Sequence, residues 1–197
     1  EKEFSTFITE NGGLQNAGTS IDATFYMFSI EHSNFEKALD RFSDFFISPL
    51  FNESGVDREK IAIHNEFAKD YENESWRDFS IMGQISNPNH PFSRFKAGNI
   101  ESLKNTTPKE LRTWYNEHYS SDKMKLVIMS SLALEELVEM VSEKFNKVPR
   151  RFIPEVELPK NLLSLENAGK IVITEPIRES RSLNLSWELP SNFAKEL

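Results

Sequence analysis

Cysteine is absent from this 197-residue sequence, and glycine is scarce, with seven residues. Without cysteine there is no disulfide framework and no thiolate metal site, and this composition favours a reducing compartment such as the cytoplasm. No apolar run approaches the ~18 residues that would span a bilayer, and the first residues lack the basic start and apolar core of a signal peptide. The sequence therefore predicts no membrane partner.

A basic excess is also missing. The 31 acidic and 23 basic residues give a formal net charge of −8, and no run of five or six like charges occurs. This balance argues against nucleic acid as a partner. What the sequence does contain is 38% hydrophobic residues, including 16 phenylalanines, which is enough for a real core. The length suits one domain and part of a second.

Apolar periodicity predicts two kinds of element. Helices are predicted for residues 3–10, 35–46, 54–73, 76–85, 107–118 and 134–145. Strands are predicted for residues 14–20, 23–30, 125–129, 170–174 and 183–189. Only two residues separate the first two strands, so we expect them to pair as an antiparallel ribbon. The predicted fold class is α+β, an antiparallel sheet with helices packed on its faces.

Two predicted helices begin with the pattern of a capping box, one over Ser33 to Glu36 and the other over Thr107 to Glu110. The first predicted helix has no cap, so we expect further chain upstream. Prolines and charges over residues 148–157 predict a connector. We therefore expect residues 1–155 to form most of one domain, and residues 156–197 to hold a linker and the first strands of a second.

Zinc-binding motifs are a further absence, since neither HExxH nor HxxEH occurs. Glu59 and Glu66 lie seven residues apart, which places them two turns apart on one face of a predicted helix. Spacing alone favours a solvated acidic stripe, because glutamate is a good helix former that mostly lies in water. Surface or capping roles are predicted for the four scattered histidines, His32, His64, His90 and His118.

Five segments nevertheless carry a resemblance, and they occur in a fixed order. They read FSTFITENGGLQNAGTSIDATFYMFSI, FEKALDRFSDFFISPLF, DREKIAIHNEF, NPNHPFSRFKAGNIESL and WYNEHYSSDKMKLVIMS. Together they resemble the insulysin/pitrilysin group of the M16 zinc metallopeptidases, in the first, catalytic domain of that family. The resemblance spans almost the whole chain and implies the α+β fold of that domain.

The resemblance also implies site residues. In the family, HxxEH on a helix supplies two histidine ligands and a general-base glutamate, and a glutamate of the following helix completes a His2Glu site for Zn²⁺. Glu66 stands at the position of that ligand. Glu59 stands at the position of a carboxylate that supports the site from behind the ligands. Asn16 and Ala17 fall on the edge strand that receives the peptide substrate. We expect the HxxEH motif upstream of Glu1, so no catalytic residue is assigned within this chain.

The resemblance therefore implies a zinc-dependent endopeptidase that acts on peptides and contains further M16 domains, while this chain alone is expected to be inactive. Two alternatives stay open. One is a non-catalytic M16 homologue that acts as a structural or partner subunit. The other is a peptide-binding module that uses the edge strand without metal.

Overall fold

The computed structural model describes residues 2–94, 97–177 and 181–189. Two strands, β1 (Leu14–Thr19) and β2 (Thr24–Ser29), pair in antiparallel register from Leu14 opposite Ser29 to Thr19 opposite Thr24. The α-helices are α1 (Glu3–Glu10), α2 (Phe35–Ile47), α3 (Glu53–Tyr71), α4 (Glu74–Ile85), α5 (Pro108–His118) and α6 (Leu134–Phe145). The fold is α+β, as predicted, and all six predicted helices and the ribbon are confirmed.

The chain divides into two compact units. The first comprises Glu1–Val56 and Thr106–Glu155, and the second comprises Asp57–Asn105 and Val156–Leu197. The division falls within α3, and each unit is described by itself below. None of the helices in the described residues is long and apolar enough to cross a membrane.

Phenylalanine rings form the core of the first unit, between the ribbon and α2. Phe42 of α2 is buried, and its ring centroid lies 5.0 Å from that of Phe28 on β2 and 6.0 Å from that of Phe4 on α1. Phe46, one turn further along α2, lies 5.4 Å from Phe42. Tilted and edge-on aromatic pairs add specific attraction to the burial of their area. The ribbon is therefore packed against α1 and α2 by its Phe28 side.

A glycine pair ends α1 and lets the chain enter the ribbon. Gly12 has φ of +71°, a conformation that favours glycine. The Gly13 N–H donates to the Ile8 carbonyl at 2.8 Å, and a Cβ on Gly13 would lie 2.1 Å from the Ser29 carbonyl oxygen. The close approach of the helix end to β2 therefore requires glycine at position 13.

The two predicted capping boxes have different outcomes. Around α5 the box is present: the Glu110 N–H donates to the Thr107 hydroxyl, and the Thr107 N–H donates to the Glu110 carboxylate at 2.8 Å. The box predicted at Ser33 is wrong. Ser33 lies inside a 3-10 turn, His32–Asn34, and the Asn34 residue before α2 makes no side-chain capping bond. The turn itself begins the helix, because the Asn34 N–H already donates to the Glu31 carbonyl.

In the second unit, two glutamate side chains bond to backbone N–H groups that are distant in the sequence. The Glu188 carboxylate accepts the N–H groups of Leu162 at 2.6 Å and Leu163 at 3.0 Å. These bonds hold the pKa of Glu188 below its ordinary value. Near α4, the Glu74 carboxylate accepts the Ile177 N–H at 2.6 Å.

The strands predicted for residues 125–129, 170–174 and 183–189 are not formed. Among the described residues these segments have no assigned secondary structure and no ladder partner. The physical reason is that alternation along a sequence reports which side chains share a face, whereas a strand also needs a neighbour for its backbone N–H and C=O groups.

Candidate functional site

Asn16 and Ala17 lie in the middle of β1, and both are exposed. Asn16 pairs with Met27 and Ala17 with Tyr26. The Ala17 N–H donates to the side-chain oxygen of Asn16 at 2.9 Å. In the part of the chain that the structure describes, the sheet has two strands, so β1 has β2 on one side and no strand on the other. An extended peptide could pair with that open edge.

Tyr26 lies on the ribbon face that carries Ala17 and connects this face to residues of the helical side of the unit. Its hydroxyl lies 2.6 Å from the Tyr119 hydroxyl, just after α5, and its ring stands edge-on to Phe46 at 5.4 Å. Burial, followed by the bond to Tyr119, raises the pKa of Tyr26 well above its ordinary value. The Tyr26 hydroxyl is therefore neutral at physiological pH.

Tyr119 is itself held in place. It stacks on Tyr115 with 4.4 Å between ring centroids, and its carbonyl accepts the Arg151 guanidinium at 2.7 Å. The Tyr115 hydroxyl donates to the Phe46 carbonyl at 2.8 Å. The support of the ribbon therefore continues into the end of α2 and into the chain that follows α6.

Glu59 and Glu66 lie on α3 within the second unit, and both side chains are exposed. Seven residues separate them, so they occupy one face two turns apart, as the spacing predicts. Among the described residues, the side chains of Glu59 and Glu66 make no hydrogen bond or ion pair. Both carboxylates are therefore accessible as ligands for a cation.

The histidines mostly serve local structure. The His90 ring nitrogen accepts the Phe92 N–H at 3.1 Å and so caps a short turn, and the ring of His118 stacks on Trp114 at 4.3 Å. His32 lies 3.3 Å from the Ser131 hydroxyl. His64, two residues before Glu66, is different, since its Nδ1 is buried without a hydrogen-bond partner.

Zinc can be tested against this donor set. Within residues 2–94, 97–177 and 181–189, no three side chains of the His, Cys, Asp or Glu type come together in a way that could hold a metal ion. A structural or catalytic zinc ion needs at least three protein ligands. Glu66 offers the right chemistry for one of them, so these residues fit one ligand of a zinc site and not a whole site.

Sequence reasoning missed the Tyr26–Tyr119 pair. Its signal lay in the alternation along β2, where Tyr26 and Phe28 occupy the same face. A tyrosine on an inward position calls for a partner for its hydroxyl. The partner lies 93 residues away in the sequence, and no local pattern identifies it.

Two family models match consecutive parts of the chain. The model described as insulinase, peptidase family M16, matches residues 1–81, and the model described as the peptidase M16 inactive domain matches residues 105–195. The chain thus matches models of two M16 domain types, one after the other. It belongs to the M16 peptidase family.

Several proteins of that family are similar to the chain. It is 36% identical over 191 residues to insulin-degrading enzyme of Homo sapiens, covering 93% of the chain and 19% of that enzyme. It is 33% identical over 203 residues to a protein of Schizosaccharomyces pombe named as a zinc protease, covering 99% and 21%. The crystal structure of pitrilysin superimposes with a TM-score of 0.77 at 27% identity, over 82% of the chain and 18% of pitrilysin. The chain thus spans about a fifth of these relatives.

Proposed function

We propose that this chain is part of a zinc-dependent endopeptidase that hydrolyses peptides. In this proposal Glu66 is a zinc ligand. Glu59 does not bind zinc but orients a zinc-binding histidine by a hydrogen bond. Asn16 and Ala17 lie on the strand that receives the substrate as an added strand. The observation that carries the proposal is the accessible, unpaired Glu66 carboxylate, which lies on a helix within the stretch matched by the insulinase model. The residues 1–155 and 156–197 would belong to the first and second M16 domains.

Each proposed role follows from the chemistry of the group. Zinc supplies Lewis acidity toward a peptide carbonyl and activates water at neutral pH. The Glu66 carboxylate would lower the positive charge of the site as well as hold the ion. Glu59, which shares the helix face, can accept a hydrogen bond from the distal N–H of an imidazole ligand and so fix its tautomer. The open edge of β1 would bind peptides by main-chain pairing, which accepts many sequences.

The test uses the full-length protein that contains these residues. Glu66→Gln should remove zinc and abolish hydrolysis of a quenched fluorescent peptide, because an amide oxygen is a much poorer donor to zinc. Glu59→Gln should keep most of the metal and lose roughly 10- to 100-fold in activity, the usual effect of a partner behind the ligands. Glu72→Gln, an exposed carboxylate just past α3, serves as the matched control and should change neither.

Zinc per chain, hydrolysis and thermal unfolding are measured in parallel. Full zinc and full activity in Glu66→Gln would contradict the ligand assignment. The 197-residue chain alone should show no hydrolysis and only weak zinc binding. Stoichiometric zinc that survives dialysis of this chain would overturn that expectation.

A non-catalytic M16 subunit is the second candidate, because the described residues bring no three metal-ligating side chains together. It requires wild-type full-length protein that is folded but lacks zinc and hydrolysis, and a gene without HxxEH upstream of Glu1. Peptide affinity that is unchanged by a chelator, in the absence of hydrolysis, would instead indicate a metal-free peptide-binding module.

A further inference from the structure

The attachment of the ribbon to the helices stops at Tyr26. On the helix-facing side of β2, Phe28 packs against Phe42 at 5.0 Å, and Tyr26 bonds to Tyr119. The next position on that face, Thr24, is exposed, and its hydroxyl lies 3.4 Å from that of Thr19 within the ribbon. Among the described residues, no hydrogen bond or ring contact joins residues 18–25 to the helices. Tyr26 is therefore the residue nearest the β1–β2 turn through which the ribbon contacts the helical side of the unit.

Ala17 is placed by this same point. It lies directly opposite Tyr26 in the ladder, and directly paired residues of an antiparallel ribbon are the closest neighbours across it. Because β1 pairs only with β2 in the described chain, the backbone of β1 takes its position from β2. Any movement of β2 at Tyr26 therefore moves Ala17 and its neighbour Asn16.

We propose that Tyr26 is a positioning residue for peptide binding: its hydroxyl bond to Tyr119 fixes the Asn16–Ala17 segment of β1 in the line that an added peptide strand needs. The inference rests on the proposed function, in which β1 receives the substrate. A peptide that pairs with a pre-ordered edge loses only its own freedom, whereas a mobile edge must also be ordered on binding. Tyr26 acts through β1 and touches no substrate.

The experiment compares Tyr26→Phe, Tyr119→Phe and the double variant in the full-length protein. Each single variant keeps the aromatic ring and removes one hydroxyl of the pair. We expect KM for the quenched fluorescent peptide to rise by about threefold to tenfold, the range of one hydrogen bond. The value of kcat should change less than about twofold, because the metal site is not involved. The double variant should match the single variants, because the two hydroxyls act as a pair.

Two further readouts separate positioning from loss of stability. Hydrogen exchange at the Asn16–Thr19 amides should accelerate in Tyr26→Phe, while exchange around Phe42 should not. Affinity for the same peptide, measured by fluorescence anisotropy in chelator-treated protein, should fall by the same factor as KM rises. Thr107→Ala is the matched control, because it removes a cap at the opposite end of α5 at a similar cost in stability. It should leave KM and exchange at β1 unchanged.

The outcomes are distinct. Unchanged KM, affinity and exchange in Tyr26→Phe would overturn the inference, as would an equal rise in KM in Thr107→Ala. Full zinc and hydrolysis in Glu66→Gln would contradict the ligand assignment within the proposed function and leave the Tyr26 result standing. A wild-type protein that neither cleaves nor binds the peptide would contradict the proposed function and this inference together, whatever the exchange data show.

Discussion

The aromatic side of the first unit and the polar helix α3 are held in opposite ways. Around Phe42, aromatic rings of the ribbon, α1 and α2 form one cluster. Ala38, Leu39 and Phe42 of α2 are buried. Along the 19 residues of α3, Val56 is the buried residue, and Ile61 is 56% exposed. The first region gains its stability from packing. The second leaves the side chains of Glu59 and Glu66 exposed, which the proposed ligand role of Glu66 requires.

The largest effect expected from this comparison is on core packing. Phe42→Ala should lower the free energy of unfolding by about 3 to 5 kcal/mol, because it removes a buried ring from the centre of the cluster. Ile61→Ala on α3 should cost no more than about 0.5 kcal/mol, as surface substitutions usually do. Urea unfolding followed by circular dichroism measures both. Equal costs would mean that α3 is packed as tightly as α2.

A smaller effect is expected where α1 meets the ribbon. Gly13→Ala should cost about 1 to 3 kcal/mol, since its new methyl group would overlap the Ser29 carbonyl and displace backbone. Gly12→Ala tests conformation instead, because φ is +71° there while the nearest atom to a Cβ is the flexible side chain of Glu31. Its cost should be about 1 kcal/mol. A larger loss for Gly12→Ala than for Gly13→Ala would contradict the close backbone approach.

The two helix starts in the first unit allow a finer comparison. Thr107→Ala should cost about 1 kcal/mol, because the Thr107 hydroxyl accepts the Glu110 N–H. Ser33→Ala should cost almost nothing, since Ser33 caps no helix. Both variants remove a side-chain hydroxyl, and Thr107→Ala removes a methyl group as well, so the difference in their urea midpoints reports mainly on the cap. Equal midpoints would restore the capping box predicted at Ser33.

The smallest effect concerns pH in the second unit. The pKa of Glu188 is lower in the folded protein than in the unfolded chain. Its bonds to Leu162 and Leu163 therefore stabilise the folded state at pH values above the unfolded pKa of about 4.3. This stabilisation is lost as the pH falls through the folded-state pKa. Protection of these two amides from hydrogen exchange should therefore drop in acid. Protection of the Leu111 amide in α5 should not. The Glu188→Gln variant should show no such pH dependence. If the pH dependence persists in that variant, a group other than Glu188 causes it.

The elements that were predicted correctly are those whose determinants are local. Helix periodicity, the glycine stop after α1 and the Thr107 capping box all lie within a few residues of sequence. The capping box predicted at Ser33 was wrong because Ser33 lies in a 3-10 turn that leads directly into α2. The sequence of this segment is compatible with either start. The unformed strands failed because pairing depends on a neighbour that alternation does not specify.

The candidate site could be predicted only in part. The sequence placed Glu59 and Glu66 on one helix face and Asn16 on a strand, and the structure agrees with those placements. Their roles came from the family resemblance and stay predictions, as does the compartment. Tyr26 could not be assigned, because its partner Tyr119 is distant in sequence and a tyrosine is common in any strand.

The exposed segment at residues 183–189 has a consequence for the solution behaviour of the 197-residue chain. Its apolar side chains, all mostly in water, are Leu183, Leu185, Trp187 and Leu189. An exposed stretch in which apolar and polar residues alternate can pair with other copies to form intermolecular sheets. Glu188 is its one charged residue, and the net charge of −8 keeps separate copies apart. Because salt screens that repulsion, we expect the chain to stay monodisperse in buffers of low ionic strength and to aggregate in concentrated salt, which light scattering can measure.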